Sequence, residues 1–158
     1  MKYKSNRYWL MKSEAEMYSI SDLKKDKKVI WTEVRNYQAR NMMRDLMHVG
    51  DYIFFYHSNS KPSGIYGVGK VSKVGITDPT ALDSKSEYFD PKASKEKNPW
   101  ACVEISFEEE FQNPVSLEAI KSNKNLSMMV VAQRGSRLSV QPVMPVEFLE
   151  VLKMAGSA

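Results

Sequence analysis

One segment of the chain, residues 31–41, combines side chains that could hold a flat, charged ligand. It contains Trp31 and Tyr37, Arg35 and Arg40, and two asparagines. Aromatic rings stack on flat groups, while guanidinium and amide groups bind anions and polar edges. Most flat polyanions in cells are nucleotides and nucleic acids, so the segment favours a ligand of that kind.

Sequence motifs that would indicate an enzyme or a metal protein are absent. There is no glycine-rich phosphate loop, and the only two histidines, His48 and His57, lack the spacing of metal ligands. A nucleophilic triad built on Ser58 and His57 is geometrically poor, because adjacent residues of a strand point to opposite faces. We therefore expect no metal, no cofactor and no enzymatic activity.

The composition is that of an ordinary globular protein with an uneven charge. Of the 158 residues, 42% are hydrophobic and 27% are charged, and no apolar run approaches the roughly 20 residues of a membrane span. Residues 1–80 carry 14 Lys/Arg and 8 Asp/Glu, whereas residues 81–158 carry 9 and 11. A basic first half is compatible with a polyanionic partner, and equally with uneven charge on a solvated surface.

Cys102 is the only cysteine. It excludes an internal disulfide and a cysteine-based zinc site, and its apolar neighbours favour a buried strand thiol over a nucleophile. The start of the sequence has no apolar stretch typical of a secretory signal. These features predict a cytoplasmic location, or a nuclear one in a eukaryote.

Short strands and short helices must position the side chains described above. Ser19 with Asp22 forms a predicted capping box, and Asn36 and Ser116 are predicted helix caps. Apolar and alternating runs predict the other elements. The predicted strands are 8–12, 52–57, 65–74, 100–111 and 137–142, and the predicted helices are a short one through Leu23, 37–43, 117–121 and 146–154.

Glycines and loops add further expectations. Gly67 and Gly69 inside a strand predict a bulge, or a close approach of this backbone to another backbone or to a ligand. Residues 75–99 predict a long surface loop, and residues 128–131 a buried segment. Most strands follow one another through loops or short helices. This order favours an α+β fold with a strongly bent mixed β-sheet or a small β-barrel surrounded by short helices.

Candidate binding residues are concentrated at predicted strand ends. They lie after the first strand, in the segment 31–41, after the strand 52–57, and at the start of the last strand. The corresponding residues are Lys12–Ser13, Trp31–Asn41, Tyr56–Asn59 and Arg137–Ser139.

This set of strings resembles the EVE domain. The matching strings are Tyr8–Glu14, Trp31–Asn41, Gly50–Asp51 with Phe55–Asn59, Gly64–Ile65 with Gly67, Asp78–Asp83, Tyr88 with Asp90–Pro91, Asn98–Trp100 and Arg137–Pro142. The sequence departs from the family at Ala15, where proline is expected, and at Thr32–Glu33, where an acid and a glycine are usual. The resemblance implies a single PUA-like domain over residues 1–158, with its core at about 8–152.

The resemblance also implies a function. EVE domains are similar to YTH domains, which hold a methylated adenine in an aromatic cage, and they are thought to bind modified bases in DNA or RNA. We therefore expect a non-catalytic module with an aromatic pocket and a basic rim, and a nucleic-acid partner rather than a membrane. The residues that we expect to bind the base are Lys12, Ser13, Trp31, Val34, Arg35, Asn36, Tyr56, His57, Ser58, Asn59, Trp100, Arg137, Leu138 and Ser139.

Individual roles follow from side-chain chemistry. Trp31 is the first candidate for the stacking surface, and Tyr56 or Trp100 for a second one. Strand parity leaves open whether Tyr56 or His57 faces inward. The short polar side chains suited to base edges are Ser13, Asn36, Ser58 and Ser139, and the expected phosphate contacts are Lys12, Arg35, Arg40 and Arg137.

Structural roles are the alternatives for the same residues. Trp31 and Trp100 could belong to the core, Asn36 could only cap its helix, and Arg137 could brace the last strand. Arg35 could pair with Glu14 or Glu33. The methionine pairs at 42–43 and 128–129 are expected to pack.

Two functional alternatives also stay open. One is a small enzyme or sensor for a nucleotide-like molecule that uses His57 for proton transfer. The other is a protein-interaction module with an exposed apolar patch.

Overall fold

A six-stranded mixed β-sheet forms the centre of the protein in the computed structural model, which describes residues 2–158. The strands are β1 (Tyr8–Glu14), β2 (Lys28–Ile30), β3 (Tyr52–Ser58), β4 (Gly64–Thr77), β5 (Ala101–Ser116) and β6 (Val140–Val143). Their order in the sheet is β2-β5-β4-β3-β1-β6. Strands β1 and β3 are parallel, and the other pairs are antiparallel. The predicted mixed sheet with short helices is confirmed.

Four short α-helices surround the sheet: α1 (Ile20–Asp26), α2 (Tyr37–Asn41), α3 (Leu117–Ser122) and α4 (Pro145–Met154). A π-helical turn (Met42–Leu46) follows α2, and 3-10 turns lie at Pro79–Leu82, Lys124–Leu126 and Val130–Ala132. The predicted caps are present. The Ser19 hydroxyl accepts from the Asp22 N–H while Asp22 accepts from the Ser19 N–H, and Ser116 accepts from the Ala119 N–H.

Two hydrophobic cores lie on the two faces of the sheet, because successive strand residues point in opposite directions. Leu10 and Phe54 belong to the core under α4, where the Phe54 and Phe148 rings stack with centroids 3.9 Å apart. Met11 and Phe55 belong to the core covered by α1, α2 and the Trp31 segment. This alternation decides which strand-end residues can act together.

Gly67 allows α1 to approach the sheet closely. A Cβ atom at this position would collide with the backbone oxygen of Glu109 and lie 2.8 Å from Cγ1 of Ile20. The β4–β5 register also shifts on both sides of Gly67. The predicted bulge and close approach are confirmed at this residue.

The last strand and one methionine differ from the prediction. Residues 137–139 do not belong to β6, which begins at Val140, although the Ser139 carbonyl still accepts from the Lys12 N–H of β1. The Gln141 side chain holds this loop by donating to the Leu138 carbonyl. Met128 is 79% exposed and does not pack, whereas its neighbour Met129 is buried. The second predicted helix stops at Asn41 and continues as the π-helical turn.

The buried cysteine agrees with the prediction. Cys102 lies in β5 and is buried, and burial raises the pKa of its thiol to about 12. A thiol with so high a pKa is protonated at neutral pH and is a weak nucleophile.

Candidate functional site

Three of the four predicted groups meet where the parallel strands β1 and β3 end. The strands pair Lys12 with Tyr56 and Ser13 with His57. The Lys12 backbone N–H donates to the Ser139 carbonyl at 2.8 Å, which brings the loop 136–139 to the same edge. We call this set the strand-end region; it comprises Lys12, Ser13, His57, Ser58, Asn59, Arg137, Leu138 and Ser139.

The pleat of β3 separates Tyr56 from His57. Tyr56 is buried in the core that contains Leu10 and Phe54, on the α4 side of the sheet. The His57 ring lies 5.2 Å from the Phe55 ring, on the side of Trp31. The two rings Tyr56 and Trp31 therefore do not face each other, and Tyr56 does not form the second stacking surface that we considered for it.

Trp31 lies mostly within a hydrophobic core, and a small fraction of its surface is accessible. It is 8% exposed, and its ring meets Phe55 edge to face with centroids 5.3 Å apart. Val34 is buried in the same core, and Leu138 of the strand-end region packs against it. The structure thus brings Trp31 and the strand-end region to one hydrophobic cluster, while the role of Trp31 in stacking stays a prediction.

His57 joins three elements through both ring nitrogens. Its Nε2 accepts from the Ile20 N–H at the start of α1, and its Nδ1 lies 3.3 Å from the Ser13 carbonyl. A carbonyl can only accept, so Nδ1 carries the proton and the imidazole is neutral. Burial lowers the pKa of His57, although the Ser13 carbonyl and the carboxylates Asp22 and Glu110 oppose this effect. Neither nitrogen is free for proton transfer in this arrangement.

Ser13 and Asn59 are also tied to neighbouring groups. The Ser13 hydroxyl donates to the Tyr18 carbonyl at 2.8 Å, which leaves its lone pairs to accept a hydrogen bond. The Asn59 amide donates to the Glu14 carboxylate at 2.9 Å, and Asn59 has a left-handed backbone with φ of 51°. Ser58 is half-buried at the end of β3.

Lys12 and Arg137 provide positive charge at the strand ends. The Lys12 ammonium lies 3.4 Å from the Ser136 carbonyl and 5.6 Å from the centre of the Tyr56 ring. Burial lowers its pKa. Arg137 is exposed on the loop between the last 3-10 turn and β6. Since an ammonium has three N–H bonds, Lys12 retains donors that an anion could use.

Arg35 uses its hydrogen-bond donors within the protein. All five N–H bonds of its guanidinium have partners: the carbonyls of Val34 and Tyr88, the Asp78 carboxylate and the Thr80 hydroxyl, at 2.6–3.2 Å. Its acidic partner is Asp78, at 3.0 Å, instead of Glu14 or Glu33. No N–H of Arg35 remains for a phosphate in this arrangement, so we no longer assign it that role.

Asp78 anchors this network and was not assigned a role by the sequence. Its side chain is fully buried and also accepts from the Glu33 N–H at 2.7 Å. Burial alone would raise the pKa of Asp78, but hydrogen bonds from Thr80, the Glu33 N–H and Arg35 outweigh it and lower the pKa. The available signal was an aspartate two residues before Thr80, since such aspartates often cap a turn.

Cationic and aromatic side chains alternate beyond Arg35. The guanidinium carbon of Arg35 lies 5.7 Å from the Tyr88 ring and 5.0 Å from the Trp100 ring. The Trp100 ring stacks on Tyr37 with centroids 4.8 Å apart, and Arg40 lies 4.7 Å from the Tyr37 ring. We call this series the Arg–aromatic ladder. Trp100 is thus part of the ladder, and its stacking partner is Tyr37 instead of Trp31.

Asn36 and Glu33 shape the backbone between Trp31 and the ladder. Asn36 caps α2 by accepting from the Ala39 N–H at 3.0 Å, as its structural alternative predicted. Glu33 has a left-handed backbone with φ of 76°, at the position where the EVE pattern usually has glycine. Burial and the carboxylates of Asp78 and Glu87 raise the pKa of Glu33.

Two cavities lie outside the strand-end region. One of about 200 Å³ is beside the inner end of the ladder and is lined by Arg35, Glu87, Tyr88, Phe89, Asp90, Pro91 and Trp100. Another of about 300 Å³ follows the edge strand β6 and includes Trp9, Met42, Leu46 and Pro142 among its lining residues.

Among residues 2–158, no group of three or more His, Cys, Asp and Glu side chains is placed to hold a metal ion. The helices within this range are too short or too polar to cross a membrane.

The fold and these strings define a member of a known family. The family model of the EVE domain matches residues 7–154, and the chain belongs to this family. Human thymocyte nuclear protein 1 is 39% identical over 167 residues, which cover 93% of this chain and 73% of that protein. The EVE resemblance and the PUA-like fold predicted from the sequence are confirmed.

Solved structures agree with this assignment. A protein from Pseudomonas syringae superposes with a TM-score of 0.90 at 47% identity, covering 94% of this chain and 99% of that chain. The human THYN1 protein, crystallised in complex with 5-methylcytosine-containing DNA, gives a TM-score of 0.88 at 35% identity, covering 95% and 98%.

Proposed function

We propose that this protein binds a modified nucleobase in nucleic acid without catalysing a reaction. The observation that carries the proposal is the likeness, over 95% of the chain, to a human protein crystallised with 5-methylcytosine-containing DNA. The strand-end region supports it, because short polar side chains and two cations lie beside the Trp31 cluster where β1 and β3 end. The Lys12 ammonium lies on the Tyr56 side of the sheet there, and His57 lies on the Trp31 side. DNA containing 5-methylcytosine is therefore the first ligand to test, with modified RNA as the second.

The energetics of the proposal require an aromatic contact. Removing a base from its stack costs a few kcal/mol. A base–aromatic contact returns about 1–3 kcal/mol, and Trp31 would provide it, with Leu138 packed against the same core. One methyl group in an apolar pocket changes affinity by roughly 10-fold or more. Contacts of this size are sufficient for a preference between methylated and unmethylated cytosine.

Polar and charged groups of the strand-end region would orient the nucleotide. The lone pairs of Ser13 and the side chain of Ser139 can bind base edges, and Lys12 and Arg137 can bind phosphates. Arg40 has two N–H bonds beyond the three that contact Pro99 and Asn41, so it too can bind a phosphate. Arg35 and Asn36 would serve by fixing the backbone around Trp31.

The enzymatic alternative receives less support from the geometry. Proton transfer by His57 would require a free nitrogen, yet both nitrogens contact backbone groups. A turnover assay with nucleotide-like substrates tests this point. Turnover that disappears in His57→Ala would support the enzyme and contradict the binding module.

Replacing Trp31 tests the proposed pocket. Trp31→Ala would also remove core packing, at about 3–5 kcal/mol, so Trp31→Leu is the better variant because it keeps apolar volume. We expect this variant to bind 5-methylcytosine DNA roughly 5- to 150-fold more weakly, measured by fluorescence anisotropy at fixed salt.

Trp9→Leu is the matched control for Trp31→Leu. Trp9 is buried in the same core, but it lies near the other end of β1 and donates its indole N–H to Asp51. We expect the control to lose stability and to keep its affinity. Wild-type affinity in folded Trp31→Leu would show that Trp31 does not contact the base.

A further inference from the structure

The outer end of the Arg–aromatic ladder is an exposed surface suited to stacking. Tyr37 is 58% exposed although it stacks on Trp100 with an angle of 22° between the rings. The Arg40 guanidinium lies over the same tyrosine. Aromatic rings and guanidinium planes both stack on unpaired bases with little dependence on sequence. Because Trp100 and Arg40 both lie against the Tyr37 ring, the candidate platform for a base is the Arg40 guanidinium together with the exposed part of the tyrosine that supports it.

The inner end of the ladder holds this surface rigidly. The Trp100 indole N–H donates to Asp90 at 2.9 Å, and its backbone N–H donates to the Asn98 side chain. Arg35 packs over Trp100 and is itself held by five hydrogen bonds. A platform that is ordered before binding loses little conformational entropy when a ligand arrives.

Charge distinguishes the two ends of the ladder. At the Tyr88 end, burial raises the pKa of Tyr88 most, and the nearby carboxylates of Glu33 and Glu87 raise it further. A phosphodiester would be repelled there. The Tyr37 end carries Arg40, whose guanidinium has two N–H bonds beyond the three that contact Pro99 and Asn41. Only the outer end therefore suits a nucleic-acid strand.

The platform also lies within reach of the proposed base site. Tyr37 follows Trp31 by six residues, which span at most about 20 Å even when fully extended. A strand whose modified base contacts Trp31 could thus place a neighbouring nucleotide at Tyr37.

We propose that the Tyr37–Arg40 surface stacks on an unpaired nucleotide that flanks the modified base. This inference depends on the proposed function, because it assumes that a nucleic-acid strand is bound at the strand-end region. The platform would make affinity depend on the presence of a flanking base and leave the preference for the modified base unchanged.

Coupling between Tyr37 and one flanking nucleotide tests the proposal. The probes are single-stranded oligonucleotides with one 5-methylcytosine, in which each neighbouring nucleotide in turn is abasic. We expect Tyr37→Ala to weaken binding to the intact oligonucleotide by roughly 5- to 150-fold. Tyr37→Phe keeps the ring, so we expect it to bind this oligonucleotide much more tightly than Tyr37→Ala does. With the abasic site at the stacked position, Tyr37→Ala should cause no further loss.

Phe89→Ala is the matched control, because Phe89 is an exposed aromatic residue beside the acidic end of the ladder. We expect it to bind every oligonucleotide like the wild type. Equal binding by Tyr37→Ala and wild type, or a loss that no abasic position removes, would overturn the platform. Equal affinity of the wild type for methylated and unmethylated oligonucleotides would instead overturn the proposed function. The loss of affinity caused by Tyr37→Ala, and its disappearance at one abasic position, can be measured whichever of these results is obtained.

Discussion

The strand-end region and the Arg–aromatic ladder contain similar residues but use them differently. Each contains two cationic side chains and at least one ring: Lys12, Arg137 and the His57 imidazole in the strand-end region, and Arg35, Arg40 and three aromatic residues in the ladder. In the ladder, the five N–H bonds of Arg35 all end on protein atoms. In the strand-end region, the Lys12 ammonium has one long contact, at 3.4 Å to the Ser136 carbonyl. Whether the N–H donors of a cation already have protein partners, more than its residue type, decides whether that cation can bind a ligand.

The electrostatic environment differs in the same way. Arg35 is neutralised by the buried Asp78 carboxylate at 3.0 Å. Lys12 is half-buried with a lowered pKa, and Arg137 beside it is exposed. An incoming phosphate would therefore gain charge neutralisation at the strand ends and little at Arg35.

The largest effect should come from removing Arg35. Arg35→Ala would leave the Asp78 carboxylate buried without its cation, and breaking a buried pair in this way costs about 3–5 kcal/mol. We expect the free energy of unfolding, measured by urea denaturation, to fall by that amount. Arg35→Lys should recover only part of it, since three donors replace five.

Arg137→Ala is the control for Arg35→Ala. Arg137 is exposed, so its removal should change the free energy of unfolding by less than about 0.5 kcal/mol. If Arg35→Ala kept full stability and lost only binding to nucleic acid, the distinction between the two regions would be wrong.

The second prediction concerns the salt dependence of binding. Each phosphate neutralised by a cation on duplex DNA contributes about −0.9 to the slope of log affinity against log salt. If Lys12 and Arg137 each contact a phosphate, the double variant Lys12→Gln/Arg137→Gln should reduce the steepness of that slope by roughly 1.8. Titrations of a 5-methylcytosine duplex at several salt concentrations would measure it.

Lys85→Gln/Lys121→Gln is a control with the same change in net charge. Both lysines are exposed and lie outside the strand-end region and the ladder. We expect the control to keep the wild-type slope. An equal change in both double variants would mean that overall charge, and not contact at the strand ends, determines the salt dependence.

Local sequence patterns predicted the frame of the molecule well. The capping box at Ser19, the caps Asn36 and Ser116, and the close approach at Gly67 depend on neighbouring residues or on backbone limits that one residue type satisfies. Strand parity likewise required Tyr56 and His57 to lie on opposite faces. It could not say which face, because that depends on which helices cover each side.

Distant contacts were beyond the sequence. The partner of Arg35 is Asp78, 43 residues away, whereas the sequence suggested the nearby Glu14 and Glu33. Trp100 likewise looked like a second wall for Trp31, but its stacking partner is Tyr37. Both outcomes depend on how the loop 78–100 folds over residues 31–41. That loop has few apolar residues whose pattern could have predicted its course.

The smallest predicted effect is a pH dependence of stability that arises from His57. Because burial lowers the pKa of His57 below its ordinary value of 6.5, the unfolded chain binds a proton more readily than the folded one. Its contribution is therefore complete above about pH 6.5 and is lost as the pH falls toward the folded pKa, by at most about 1.4 kcal/mol per pH unit. Protonation would also convert Nε2 from acceptor to donor against the Ile20 N–H and loosen α1.

The free energy of unfolding should thus decrease between pH 6.5 and 5.5 in the wild type and less so in His57→Gln. The lowered pKa of Asp78 does not interfere, since its contribution is lost only below about pH 4. Equal slopes in wild type and variant would show that His57 does not hold the strand ends to α1 in the neutral form.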